Sequence, residues 1–542
     1  MIKFTLVVLS LFCSFLAYST ELFMGPYLES QTEDSMSVKW ETKERKEMVL
    51  KWGDGNLDLV AKPDIRKSPI GTFVYMAVMK KLASNKIYQY AIYENEQAVT
   101  DTVSFRARVS FKDKDVFRFL AISDTQEHPE VHKRLIEEGV IPHLEENFVG
   151  AFYENLDFAI VAGDLVNNGK DYHQFKEVYF DPAKKLQASI PYFPAAGNHD
   201  RDYKNFLFYF DLPDNGFGKE RKHWYTYKYL NARFLSINTD KGFLKIGQLA
   251  WVDRVMRLAC REKDVDFVFA YYHHPWHSEM WLDGNTPYTK LVMNKMQRHL
   301  RKCGKAGAAF NGHTHAYSRG QNADQPIYYV NIASAGGNLD YWGEDEQKDY
   351  ADFQKSYDEY GYSIIEVRTG PNPSFKIQRF SMGDDYVQKT NELQDEFYYR
   401  KYNIAPNKPI INLVKDEKSC YLDSGEFIDL DGDKYQSVQW QISTFDYPIV
   451  ASGGVLFSQP SSTFFETLFN HENIYNGDTS RPGWSVHEDR DTMAGKIYNR
   501  LTWPKWLAAD EYTVRARYRD RGLVWSEWAE QNVSKKQLKA CL

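Results

Sequence analysis

The chain has 542 residues, 67 Lys and Arg against 74 Asp and Glu, and a formal charge of −7. So mild an acidity excludes a general electrostatic pull on nucleic acid or anionic lipid, and 43% hydrophobic with 26% charged residues excludes intrinsic disorder. At ~100–200 residues per domain the length implies three or four domains.

Lys3, the apolar run Phe4–Ala17 and the small residues of Ala17-Tyr18-Ser19 read as an export signal over residues 1–19. The run is short for a bilayer span, and no other stretch reaches the ~18 apolar residues a spanning helix needs. The expectation is a secreted or periplasmic protein with no transmembrane segment. Beyond the signal lie Cys260, Cys303, Cys420 and Cys541. Their locations suggest Cys260 with Cys303 and Cys420 with Cys541, against the alternative of free buried thiols.

Residues 20–110 carry short alternating runs, Ser37-Val38-Lys39-Trp40 and Ile87–Tyr93 among them, the period-two mark of a β-sandwich. Leu82–Tyr88 resembles the segment before a fibronectin type III tyrosine corner. Over 114–385 the pattern changes. Apolar strand-like runs (Phe117–Ser123, Phe158–Gly163, Tyr192–Ala196, Phe234–Asn238, Phe267–Tyr272, Ala308–Asn311) alternate with helical stretches at Val131–Asn147, Tyr172–Leu186, Gln248–Arg261 and Thr289–Lys302. That alternation predicts a layered α/β domain. The polar segment 389–408 reads as a linker. Residues 409–542 alternate again at Ser437–Ile442 and Tyr512–Tyr518, predicting a second fibronectin-like sandwich with a long insertion near 450–495. The predicted architecture is therefore a central α/β domain flanked by N- and C-terminal β-sandwich domains. Trp and Arg side chains on the last sheet read as structural. A surface glycan or protein bound through the sandwiches is the functional alternative.

Five polar clusters each follow an apolar strand of the central region: Ser123-Asp124-Thr125-Gln126, Gly163-Asp164, Gly197-Asn198-His199-Asp200, His273-His274-Pro275 and Gly312-His313-Thr314-His315. Ligands of α/β sheets gather outside the carboxyl ends of the strands, so clusters distant in sequence converge there. Carboxylate, amide oxygen and imidazole without thiolate suit Mn, Fe or Zn. A single His at a strand end is more often a satisfied core residue. Five ends carrying ligand-type residues, three with an adjacent Gly that permits close backbone approach, predict a metal site.

The series D-x-Q, GD, GNHD, HHP and GHTH, in this chain order, resembles the calcineurin-like metallophosphoesterase superfamily. The preceding fibronectin-like domain is similar to the architecture of purple acid phosphatases. The resemblance implies a two-metal site for Fe, Zn or Mn, with Asp124 and His315 on the first ion and Asn198, His273 and His313 on the second. Asp164 would bridge the two. It implies hydrolysis of a small phosphorylated substrate, a phosphomonoester, by metal-activated hydroxide. His199 would donate to the leaving oxygen, Asp200 would orient that imidazole, and His277 is a second candidate acid. His274 would stand behind the ligands.

Two positions depart from the family. Purple acid phosphatases have a tyrosine three residues after the bridging aspartate, where this chain has Asn167. Other members have a histidine where Gln126 stands; Gln126 would ligate through its amide oxygen or hydrogen-bond a water. His128 reads as the start of a solvated helix. Asp429-Leu430-Asp431-Gly432-Asp433 reads as a tight turn, lacking the later glutamate of an EF-hand. A phosphodiesterase or nucleotide pyrophosphohydrolase with the same metals is the alternative function, and an inactive surface binding protein is the alternative of another class. No feature predicts a nucleic-acid scaffold.

Overall fold

The computed structural model describes residues 21–200, 203–216, 222–240, 246–321, 326–346, 353–415, 420–444, 465–470, 500–502, 511–534 and 536–537. The expected signal over 1–19, Cys541 and most of the 450–495 insertion lie outside the described residues.

The N-terminal sandwich packs one sheet, ordered Met24–Glu29, Ser35–Thr42, Phe73–Lys80, Asp64–Lys67, against a second built on Met48–Gly53 and Ile87–Glu94. Alternate residues point inward, so Trp40, Leu50, Tyr75, Tyr90 and Phe105 form a closed core. Several polar contacts tie this sandwich to the next domain. Tyr90 Oη donates to the Ala188 carbonyl at 2.6 Å, and buried Lys39 donates to the Tyr209 carbonyl at 2.7 Å while pairing with Glu29 and Asp211.

In the central domain we number the strands β1 (Val116–Ile122), β2 (Phe158–Val161), β3 (Tyr192–Pro194), β4 (Tyr225–Tyr229), β5 (Ala232–Ser236), β6 (Phe267–Tyr272), β7 (Ala306–Asn311), β8 (Tyr317–Gly320), β9 (Ile327–Ile332), β10 (Phe353–Tyr357), β11 (Tyr360–Arg368), β12 (Ser374–Gly383) and β13 (Gln388–Arg400). They form two sheets, β3-β2-β1-β11-β12-β13 and β4-β5-β6-β7-β9-β8-β10. The strands β1–β3 run parallel in one sheet, as do β5, β6, β7 and β9 in the other. One core lies between them, where Phe119 and Phe158 stack in parallel and Phe234, Phe269 and Phe310 meet them or one another edge to face or tilted. On the far side of the second sheet α1 (Ile246–Arg261) and α2 (Pro287–Cys303) bury Trp251, Val255, Val292 and Met296. The Cys260–Cys303 disulfide joins these helices, with a Cα–Cα distance of 5.7 Å. Cys420 is also disulfide-bonded.

Two expectations meet differences. The segment read as a linker over 389–408 is largely β13, the edge strand of the first sheet. Its polar composition is that of an edge, where only Asp395 and Phe397 are buried and Lys389, Glu392 and Glu396 face water. The helical stretches near 131–147 and 172–187 each contain a widened π turn, Leu135–Val140 and Phe175–Phe180. Each turn ends just before a proline, Pro142 or Pro182, which lacks the N–H an α-helical ladder needs.

The C-terminal sandwich pairs Tyr435–Thr444 with Glu511–Asp520 around Trp440, Tyr512 and Tyr518. On its outer face Arg515 lies over Trp528 at 4.4 Å and Arg517 over Trp525 at 4.1 Å, a cation–π ladder. Leu523 enters the central core, and Tyr328 Oη donates to the Arg521 carbonyl at 3.0 Å. Asp429 Oδ1 accepts from the N–H groups of Asp431 and Asp433, closing the turn expected there. No helix among the described residues is long and apolar enough to cross a membrane.

Candidate metal centre

Parallel strands place their carboxyl ends on one edge of the double layer, and the polar clusters leave from those ends. Asp124 follows β1, Asp164 follows β2, Asn198 and His199 follow β3, His273 follows β6, and His313 and His315 follow β7. The loops are stitched by backbone bonds: Asp124 N–H donates to the Gly163 carbonyl (3.1 Å), Thr125 to Asp164 (3.0 Å), Gly312 to His273 (2.9 Å) and Gly337 to Asp124 (2.8 Å). Asp124, Asp164 and His313 all hold left-handed backbone, with φ of 57°, 49° and 73°. Such conformations cost a non-glycine residue of order 1 kcal/mol and persist only where surroundings impose them. The glycines explain the close approach. A Cβ on Gly197 would lie 2.1 Å from Asp164 Oδ1, and one on Gly312 would lie 2.3 Å from Asp124 Oδ2.

The side chains converge in two overlapping groups. Ligand atoms of Asp124, Asp164 and His273 lie within 4.8 Å of one another, as do those of His273, His274 and His313. His273 Nδ1 faces the Ala162 carbonyl at 3.1 Å and His315 Nδ1 faces the Asn338 carbonyl at 2.6 Å. A carbonyl only accepts, so both rings keep their proton on Nδ1 and turn Nε2 inward. These Nε2 atoms lie 3.0 Å from Asp164 Oδ2 and 3.3 Å from Asp124 Oδ1. Both oxygens of Asp124 face the His313 N–H at 3.1 Å, and Asp164 Oδ1 accepts from the His199 N–H at 2.7 Å.

The donor set fits metal ions. Asn198 Oδ1 and Gln126 Oε1 are buried with no hydrogen-bond partner, a costly state for polar atoms unless an ion satisfies them. The 3.0 Å separation of His273 Nε2 and Asp164 Oδ2 also matches two ligands of one ion, each ~2.0–2.2 Å from it.

Electrostatics agree. Burial alone would lower the His273 and His315 pKa values, but the Asp164 and Asp124 carboxylates more than offset it, raising them to about 9 and about 10. Burial and the neighbouring His273 charge push His313 down to about 3, keeping that imidazole neutral. The Asp124 carboxyl is held below the carboxylate range: burial opposes this, and His273 and His315 outweigh it. In this site protons on histidine do what cations would do better.

The other expected residues are placed as follows. Gln126 is buried, its Nε2 3.1 Å from His315 Nε2. His199 Nδ1 faces the Asn167 carbonyl at 2.9 Å. Asp200 does not orient that imidazole. It is fully buried, and its carboxylate accepts from the N–H groups of Leu165 (3.0 Å) and Gly197 (2.8 Å), bracing the loops that carry Asp164 and Asn198. His277 stacks on the Trp276 ring, centroids 4.8 Å apart, and joins neither ligand group. His128 begins the helix Pro129–Arg134 and meets Asn338 Oδ1 at 2.7 Å.

Sequence reasoning missed the loop after β9. Asn338 supplies the carbonyl that holds His315, Asp340 Oδ2 accepts the His315 N–H at 2.8 Å, and Gly337 leaves room for the His315 ring, which a Cβ would meet at 2.6 Å. The Gly336-Gly337 pair at a further strand end was the available signal. Thr239 was also missed. Its Oγ1 accepts from the His274 N–H at 2.9 Å and meets His274 Nδ1 at 3.0 Å.

Two face-to-face sheets whose strand ends gather Asp, Asn and His define a candidate metal centre. Residues 117–317 match the family model described as calcineurin-like phosphoesterase. The match spans the central region from β1 through His313 and His315. Among solved structures, the purple acid phosphatase PPD1 from yellow lupin (Lupinus luteus) seeds superposes with TM-score 0.54 at 15% identity, covering 69% of this chain and 73% of that one. A structure of PhoD gives TM-score 0.51 at 12% identity, covering 70% and 90%. These two likenesses are of fold. Two uncharacterized proteins of Mycobacterium tuberculosis are 25% identical over a segment covering 21% of this chain and 26% of their own length. The chain thus spans about a quarter of the curated relatives it matches.

Proposed function

We propose that this protein is an exported phosphomonoesterase that works with two metal ions. Asp124 and His315 would hold the first, with Gln126 as a further donor. Asn198, His273 and His313 would hold the second, and Asp164 would serve both. The observation that carries the reading is the pair of overlapping ligand groups, Asp124, Asp164 and His273 with His273, His274 and His313, together with the buried, unpartnered Asn198 Oδ1 and Gln126 Oε1. Export rests on the Lys3 and Phe4–Ala17 pattern.

Two bound divalent or trivalent ions supply charge neutralisation of the phosphate and acidify a water to a nucleophile near neutral pH. The chain's own residues do the rest. Asp164 fixes the spacing of the two ligand sets, and its Oδ1 ties the His199 backbone to them. His199 moves the leaving-group proton. Its Nδ1–H is committed to the Asn167 carbonyl, so Nε2 is the atom that gives the proton, from the imidazolium form. Asp200 keeps the Gly197–His199 loop against β2.

The test is chelator-sensitive hydrolysis of p-nitrophenyl phosphate by protein loaded with Mn, Fe or Zn, beside Asp164→Asn and the bis(p-nitrophenyl) ester. Monoester turnover that Asp164→Asn abolishes is expected. Faster turnover of the bis-ester would move the assignment to a phosphodiesterase. No turnover of either ester by folded, metal-loaded protein would overturn it.

A further inference from the structure

The loop 275–286 between β6 and α2 stands over the second ligand set and takes no part in the ligand chemistry. Its base is closed by the Thr286 N–H donating to the Pro275 carbonyl at 2.8 Å, and Asn285 Nδ2 crosses it to the Ser278 carbonyl at 3.3 Å. The Leu282 N–H anchors its crown on the Glu346 carbonyl at 3.0 Å. At the crown Trp281 holds extended backbone, φ −146° and ψ 101°. Met280 goes down into a sealed cluster with Ala316 and Trp342. Trp281 packs beside His313 instead. Its half-buried indole lies 4.9 Å from the His313 ring, tilted 44°. Gly284 allows this, because a Cβ there would meet the indole at 2.8 Å and His313 Cδ2 at 3.3 Å.

A preorganised, partly exposed indole beside a metal-site histidine is more than a cover for that ligand. An aliphatic residue would shield His313 as well, without offering a flat π surface at the rim. We propose that Trp281 is a specificity-determining residue, a stacking platform for a planar aromatic ring in the alcohol part of the substrate. The preferred substrates are then aryl or nucleoside phosphomonoesters rather than alkyl ones. This rests on the phosphoesterase reading above. Ring stacking of this kind favours an aromatic over an aliphatic ligand by roughly tenfold or more.

The experiment measures calorimetric Kd values of phenylphosphonate and ethylphosphonate on the metal-loaded full chain, for the wild type, Trp281→Leu and Trp281→Phe. The wild type should bind the phenyl compound about tenfold more tightly, Trp281→Leu should bring that ratio towards unity, and Trp281→Phe should restore most of it. A wild-type ratio near unity, or a ratio that Trp281→Leu leaves intact, overturns the inference while the phosphoesterase reading stands. Binding of neither phosphonate to folded, loaded protein overturns both. Relative kcat/KM for tyrosine phosphate, nucleoside 5′-monophosphates and glycerol phosphate then separates the aryl from the nucleoside source. Glycerol phosphate matching both aromatic esters also overturns the inference.

Discussion

The two halves of the metal centre are built from the same residue types to different densities. Around the second position His273 and His313 crowd with His274, and the His273 side chain is 0% exposed. Around the first, Asp124 faces His315, whose side chain is 16% exposed, and the third donor is Gln126, whose amide nitrogen already faces the His315 ring. The dense half keeps the His313 imidazole neutral and leaves Asn198 Oδ1 without a hydrogen-bond partner, so an ion would satisfy both. The sparse half is partly satisfied by its own charge pair. On the proposed assignment the second ion would bind tightly and the first would be the exchangeable one.

The largest expected effect tests what joins the halves. Asp164→Asn should lower kcat/KM for p-nitrophenyl phosphate by ~10³-fold or more, because the bridging charge serves both ions. Retained activity would show that the halves act independently. His199→Ala should cost ~10²–10⁴-fold on an alkyl phosphate and far less on p-nitrophenyl phosphate, whose leaving group needs little protonation. An equal loss on both esters would remove His199 from the proton's path. Gln126→Ala should weaken the first ion by about tenfold and leave the second unchanged, read as metal stoichiometry against chelator concentration. Simultaneous release of both ions would break the comparison outright.

The smallest effect sets the site's carboxylates against one without a histidine. Glu41 is fully buried where the N-terminal sandwich meets the central domain, beside the hydroxyls of Thr72, Tyr172 and Tyr209. Burial pushes its pKa up to about 7, and those hydroxyls only partly offset this. The folded state therefore holds this proton more tightly than the unfolded state does. Stability should be greatest below the unfolded value and fall as pH rises towards and through 7. Urea unfolding at pH 5 and pH 8 should differ by about 1–3 kcal/mol from this group, and Glu41→Gln should flatten that slope. Glu29, also raised to about 7 by burial but paired with Lys39, contributes a residual slope of the same sign.

Much of the molecule was legible because it is periodic. The apolar runs Phe117–Ser123 and Phe267–Tyr272 became β1 and β6, and the helical stretches at 248–261 and 289–302 became α1 and α2. Edge strand β13 was misread as a linker because period-two burial disappears where one side of a strand meets only water. In the site, residues at the first turn after a strand were found, since strand ends advertise themselves. Asn338, Asp340 and Thr239 were missed, since each acts through backbone or hydroxyl contacts to another loop. Asp200 was assigned to the nearest histidine in sequence, whereas its oxygens reach backbone N–H groups of two loops.

The sequence by itself determined the layered class, the two flanking sandwiches and the residue types gathered at the strand ends. These depend on side-chain period and turn chemistry, which are local. Only the tertiary structure decided which nitrogen of His273 and His315 turns inward, that Asn167 rather than Asp200 holds His199, and that Trp281 faces His313. Each of these is set by an atom far along the chain or by a backbone carbonyl. Neither leaves a trace in the pattern of side chains.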